Sequence, residues 1–215
     1  MKFINDEGHK MSAELGKEKG NFPNFKGSTL EKGWKTHRNA TVTTVAPTGT
    51  ISIIAGCSQG IEPLFAIAYV REIAETLGRS LVEVNPLFES IALREGFYSD
   101  ELIKEVSRRT SVQDLKEIPA KWRRLLVTAH DISAEMHVRM QAAFQKYTDN
   151  AVSKTINFPN WATPNDVDKA YMLAWKLGCK GITVYRHGSR EAQVLRPVES
   201  EGSVADFSRV CPTCS

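Results

Sequence analysis

Residues 40–52 constrain this chain more than any other stretch. Ala40-Thr41-Val42-Thr43-Thr44-Val45-Ala46 is β-branched at nearly every position, which predicts a buried strand. Pro47 ends it, and Thr48-Gly49-Thr50-Ile51-Ser52 follows as a tight turn that opens a short apolar helix running to Gly56. A strand that delivers the chain through a glycine turn into a helix presents the unpaired amides of the first helical turn and the positive end of its dipole. That is an anion site suited to phosphate. Gly49 lets the backbone approach a ligand closely, and Thr48, Thr50 and Ser52 can add hydroxyl donors. No lysine stands in the loop, so it is not a nucleotide-triphosphatase P-loop. The same residues also read as an ordinary strand-to-helix turn with threonine as its cap.

The rest of the chain sets bounds. With 215 residues it can bury one good core or two small ones. A net charge of +3, with no dense basic block, gives no reason to expect nucleic acid or an anionic membrane as partner. No apolar run approaches the roughly 20 residues that cross a bilayer, and the polar start Met1-Lys2-Phe3-Ile4-Asn5-Asp6-Glu7 is not a secretory signal. The expected location is cytoplasmic. Cys57 and Cys179 stand alone and read as small buried hydrophobes, whereas Cys211 and Cys214 form a C-x-x-C pair in the final residues.

Residues 2–19 predict a polar helix with Phe3, Ile4, Met11 and Leu15 as its apolar stripe and Gly20 as its stop. A helix is expected over 63–77, with Pro63 in its first turn and Glu62 as a first-turn charge on its dipole. Further helices are expected over 86–95, 99–109, 111–116, 119–129 and 132–147. The last places Ile132, Met136, Met140, Ala143, Phe144 and Tyr147 at helical spacing, which makes Met136 and Met140 core filler. Residues 151–157 read as a strand. Thr163 caps a helix that starts at Pro164 and stops at Gly178, and 181–186 is a second strand. Strand, helix, strand implies a parallel pair with a right-handed crossover. The five histidines form no metal-ligand spacing, and His130 and His137 read as partly exposed. After Leu195 the chain is Pro/Glu/Ser/Gly-rich, so the organisation expected is a domain over 1–195 and a flexible tail over 196–215.

The string from Asn39 through Gly56, continued by Ser58-Gln59-Gly60-Ile61-Glu62-Pro63-Leu64-Phe65, resembles the vitamin B12-dependent, class II ribonucleotide reductases. So do Met140-Gln141-Ala142-Ala143-Phe144-Gln145, Asp149 through Asn157, and Gly178 through Arg186 with Gly188-Ser189-Arg190. The blocks follow the family's order and spacing over roughly residues 2–195. The resemblance implies an α/β fold, the C-terminal portion of a ten-stranded α/β barrel with helical insertions. It implies that Pro47, Thr48, Gly49, Thr50 and Ile51 bind the phosphates of a ribonucleoside diphosphate or triphosphate. It also implies adenosylcobalamin as the cofactor of the complete enzyme, which converts ribonucleotides to deoxyribonucleotides through a thiyl radical on a barrel cysteine.

That cysteine lies in an Asn-x-Cys-x-Glu setting in the family, and no such string occurs here. The chain therefore resembles a fragment, from a truncated gene or a split subunit, whose partner is the missing N-terminal part. Alone it is not expected to reduce ribonucleotides. The alternatives are an inactive remnant, a complementing half-barrel that binds nucleotide without catalysis, or an unrelated phosphate-binding α/β domain. Cys211 and Cys214 fit a redox tail that takes electrons from a thioredoxin-like reductant, ahead of the other reading, half of a zinc site whose other ligands are absent.

Overall fold

The computed structural model describes residues 1–73 and 79–189. Along the chain run α1 (Lys2–Lys19), a 3-10 turn (Thr29–Lys32), α2 (Gly49–Ala55), β1 (Ala68–Ile73), β2 (Arg79–Val84), α3 (Pro86–Glu95), α4 (Asp100–Ser107), α5 (Ala120–Arg123), α6 (Ala134–Gln145), β3 (Thr155–Phe158), α7 (Pro164–Lys176) and β4 (Thr183–Arg186). They divide between two compact units. One holds Met1–Glu62, Ala134–Ile156 and Trp161–Tyr185; the other holds Pro63–Ser133, Asn157–Asn160 and, of the described residues at the end, 186–189. The C-x-x-C of Cys211 and Cys214, and the expected boundary at residue 195, lie outside the described residues.

Local signals place the helix ends. Thr163 Oγ1 accepts the Asp166 amide at 3.4 Å while Asp166 Oδ2 accepts the Thr163 amide at 2.9 Å, a reciprocal capping box with Pro164 at the first helical position. Asn85 Oδ1 caps α3 through the amides of Leu87 and Phe88, and Ser99 Oγ caps α4 through Leu102. The strand–helix–strand expected over 151–186 is present as β3, α7 and β4, and β3 and β4 are neighbours in one sheet.

Packing departs from hydropathy in the first unit. On α1 most of the expected stripe is in water: Phe3 is 76% exposed, Met11 60%, and Ile4 is exposed too, with Leu15 half-buried; the buried face is Ser12, Ala13 and Gly16. Small residues win there because the 34–39 segment lies directly on the helix. On α6, Met136 and Met140 are exposed, while His137, Val138, Gln141 and Gln145 are buried. The glutamines are buried because their amides satisfy backbone carbonyls of the segments that lead into β3 and β4. Gln141 Nε2 donates to Val152 O at 3.1 Å and Gly181 O at 2.7 Å; Gln145 Nε2 donates to Thr148 O and Asn150 O. His137, expected to be partly exposed, is buried as well.

In the second unit the helix expected over 63–77 is replaced by an antiparallel hairpin, in which Ala68 pairs with Val84 and Ile73 with Arg79. Residues 68–73 carry strand-forming Tyr, Val and Ile, and the matching run 79–84 supplies the partner that decides between strand and helix. With no helix after Pro63, Glu62 has no helix dipole to meet. The helix expected over 111–116 is a pair of turns, closed by Leu115 N–H to Val112 O and Ile118 N–H to Leu115 O, and that over 119–129 shrinks to Ala120–Arg123. A core of Ile67, Ala68, Phe88, Leu102, Ile103, Val106, Val112, Leu115 and Ile118 holds this unit. Each Val, Leu, Ile or Phe among them, fully buried, contributes about 1.5–3 kcal/mol.

Candidate phosphate-binding loop

The segment leading to the candidate loop is extended but not the buried strand expected. Val45 bridges Val152 in parallel, Ser153 N–H donates to Val45 O at 2.8 Å, and Asn150 N–H donates to Thr43 O at 3.1 Å. A single flanking neighbour leaves the alternate side chains Thr44 and Ala46 in water.

After Pro47 the chain turns at Thr48, whose φ of 55° and ψ of 23° are left-handed. A β-branched residue in that region is strained by about 1–3 kcal/mol. The reversal lets Gly49 open α2 at once. Among the described residues no protein acceptor takes the amide N–H of Gly49, Thr50 or Ile51. Thr50 and Ile51 are exposed, and Ser52 N–H closes the first helical bond onto Thr48 O at 3.0 Å. The hydroxyls are not all free: Ser52 is buried and its Oγ donates to Gly49 O at 2.8 Å, so the donors left are those of Thr48 and Thr50.

A second loop braces the first. Gly60, at φ 55°, passes so close to Ala46 and Thr48 that a β-carbon there would meet Ala46 O at 3.3 Å and Thr48 Oγ1 at 3.7 Å. Gln59 Nε2 would stand 3.5 Å from a β-carbon on Gly49. Beyond it, Glu62 Oε1 accepts the Thr155 amide at 2.5 Å and Glu62 Oε2 accepts from Lys154 Nζ at 2.6 Å. Lys154 is 2% exposed and also donates to Thr155 O. Sequence reasoning passed over this pair. The signal was there, because a lysine inside the strand-forming run 151–157 must find an acid if that run is buried.

Comparison with known proteins extends the picture. Residues 35–185 match the family described as ribonucleotide reductase, barrel domain. The chain belongs to this family. It is 51% identical over 195 residues to a vitamin B12-dependent ribonucleoside-diphosphate reductase of Thermoplasma acidophilum, with 91% of this chain and 25% of that protein covered. A protein of the same description from Mycobacterium tuberculosis (strain CDC 1551 / Oshkosh) is 50% identical, with 28% of its length covered. Among solved structures, the class Id ribonucleotide reductase alpha subunit of Actinobacillus ureae superposes with a TM-score of 0.70 at 25% identity, over 87% of this chain and 33% of that one. The chain spans about a quarter of the length of the curated relatives it matches. Its fold is accordingly a part of the reductase α/β barrel.

Within this barrel portion the candidate residues Pro47, Thr48, Gly49, Thr50 and Ile51 form one continuous turn. The cysteines do not join them. Cys57 is exposed, contrary to the buried position expected, because Gly56, left-handed at φ 60°, ends α2 just before it and the 57–60 loop lies in solvent. Cys179 is half-buried, and burial pushes its thiol above the usual range, away from thiolate character. No described helix is long and apolar enough to cross a membrane.

Proposed function

We propose that this reductase barrel portion supplies the loop, Pro47 to Ile51, that holds the phosphates of a ribonucleotide in a cobalamin-dependent ribonucleotide reductase. The observation that carries the reading is the set of open amides. Gly49, Thr50 and Ile51 offer N–H groups at the start of α2 that no protein group among the described residues accepts, with the Thr48 and Thr50 hydroxyls on the same turn. Phosphate oxygens are the acceptors such a turn suits, since they take several short, charge-assisted bonds at once. Relatives named for ribonucleoside diphosphates favour the diphosphate as substrate.

In this reading the chemistry is divided. The chain's own residues bind and orient the nucleotide by its phosphate end. The radical cysteine belongs to another part of the enzyme, because the sequence has no Asn-x-Cys-x-Glu. Adenosylcobalamin, when bound in the complete enzyme, supplies the initiating radical.

The test is an amide NMR titration of the chain with a ribonucleoside diphosphate. Shifts centred on Gly49, Thr50 and Ile51 are the expected result. Saturable binding that leaves those amides unmoved refutes the loop assignment. Turnover of a ribonucleotide by this chain alone with adenosylcobalamin refutes the division of labour.

A further inference from the structure

The first unit holds two imidazoles in direct contact, one on α1 and one on the segment laid across it. His9 Nδ1 is 3.0 Å from His37 Nε2, and His37 is 0% exposed. At the outer ends, His9 Nε2 is 3.0 Å from Asp149 Oδ1, and His37 Nδ1 is 2.7 Å from the backbone oxygen of Asn39. Trp34 stacks on His9 with ring centroids 6.2 Å apart.

The partners fix the number of protons. A carbonyl oxygen only accepts, so His37 Nδ1 carries hydrogen. Ser12 Oγ, 3.0 Å from the same nitrogen, agrees: its own hydrogen goes to Asn39 Oδ1 and its lone pairs face the Asn39 amide and His37. A carboxylate only accepts, and Asp149 is a carboxylate on its contacts. Its Oδ2 takes the amides of Val42 at 2.7 Å and Thr43 at 3.3 Å, and its Oδ1 takes Asn5 Nδ2 at 3.1 Å. His9 Nε2 therefore carries hydrogen too. The two inner nitrogens face each other, and a bond between them needs one hydrogen more. Four ring nitrogens then hold three protons, where two neutral imidazoles hold two.

We infer that His9 and His37 share one excess proton, and that the cation so formed positions Asp149, which holds the amides of Val42 and Thr43 at the root of the segment leading to the 47–51 loop. The other charges around it are accounted for. Asp6 and Lys10 line the cavity beside His9 with Leu30 and Trp34; Asp6 is paired with Lys2 and Lys10 with Glu7. Lys180 Nζ donates to the backbone oxygen of Asp149, and the side chain of Arg38 follows His37 in the chain. Asp149 is the carboxylate in direct contact with the pair. Loss of the shared proton sets two lone pairs against each other at 3.0 Å, or turns His37 away from Asn39. Either way Asp149 loses its positive partner.

The inference stands apart from the phosphate reading, because its test needs no ligand. Long-range 1H–15N correlation through the imidazole rings of the 15N-labelled chain counts the protons. At neutral pH, hydrogen is expected on His9 Nε2 and His37 Nδ1, with the inner two nitrogens both intermediate between protonated and bare. Two neutral rings, each with one fully bare nitrogen, overturn the proposal. The positioning role is read by hydrogen exchange at Val42 and Thr43. As the pair loses its proton, protection beyond the intrinsic base effect falls about tenfold or more, the equivalent of one charge-assisted bond. His9→Gln removes that step. A step that persists in His9→Gln overturns the positioning role, and if the variant does not fold the wild-type ring spectrum alone decides.

Discussion

A β-carbon placed on Gly16 would fall 2.7 Å from the backbone nitrogen of His37. Helix propensity alone favours alanine over glycine in the interior of α1 by about 0.5–1 kcal/mol. The contact opposes it. His37 cannot retreat freely, because its N–H donates to Asn21 Oδ1 at 2.8 Å and its carbonyl accepts Phe22 N–H at 3.0 Å. Gly16→Ala is therefore expected to destabilise the chain by about 1–3 kcal/mol, the cost of overpacking. Urea unfolding reads the sign, and a variant as stable as the parent or more so shows that propensity wins.

Gly49 is not in the left-handed region, and the nearest group to a β-carbon there is the flexible Gln59 side chain at 3.5 Å. The fold thus tolerates a side chain at a position where the proposed ligand does not. Gly49→Val is expected to leave the unfolding midpoint within about 0.5 kcal/mol of the parent, as surface changes do, while weakening ribonucleoside-diphosphate affinity about tenfold, the loss of a close backbone contact. Calorimetric titration of both proteins measures it, and equal affinities count against the loop.

Thr48 carries the backbone strain of the turn, with φ at 55°. Thr48→Gly removes a left-handed β-branched residue but adds freedom to the unfolded chain, for a net gain of about 1 kcal/mol. The same change deletes a hydroxyl from the loop. A higher Tm with weaker diphosphate binding is the expected pair of results. A lower Tm means that the turn is not strained at Thr48.

The sequence was most legible where signals are local. Thr163, Pro164 and Asp166 lie within one turn and specify the start of α7, and Gly20 and Gly178 mark stops by the same short-range chemistry. The turn at 47–51 was readable for the same reason. What failed depended on distant partners. Residues 68–73 fit helical spacing until 79–84 pairs with them. Met136 and Met140 look like the core face of α6 until Gln141 and Gln145 claim that face for the carbonyls of Val152, Gly181, Thr148 and Asn150. No hydropathy pattern records a side-chain amide that satisfies the carbonyls of a distant loop. His9, His37 and Asp149 show no motif, since they meet across separations of 28 and 140 residues.

Asp149 also predicts an acid limb. Burial pushes its carboxyl up, but the Val42 amide, then His9 and Asn5, hold it below the ordinary 3.8 overall. A carboxyl with a lowered folded value contributes stability above its unfolded value and loses it as pH falls through the folded one. Between neutral pH and pH 3 the parent should therefore lose stability that Asp149→Asn does not have to lose. Parallel stability curves for the two proteins over that range exclude the linkage.

The Lys154–Glu62 pair decides how firmly the 59–62 loop braces the candidate site. The Lys154 side chain is 1% exposed and that of Glu62 20%, so each charge depends on the other. Glu62→Gln leaves an ammonium buried without its anion and weakens the bond to the Thr155 amide, at an expected cost of about 3–5 kcal/mol. Lys154→Met removes the ammonium but spares Thr155 N–H to Glu62 Oε1, the 2.5 Å bond that ties the loop to β3. It should cost less. In the double variant the stranded cation is gone, so the combined loss should fall short of the sum by about 1–3 kcal/mol, a coupling typical of contacting groups. Chemical unfolding of the four proteins closes the cycle. Additive losses mean that the pair is not coupled, and that the loop is held by the Thr155 amide alone.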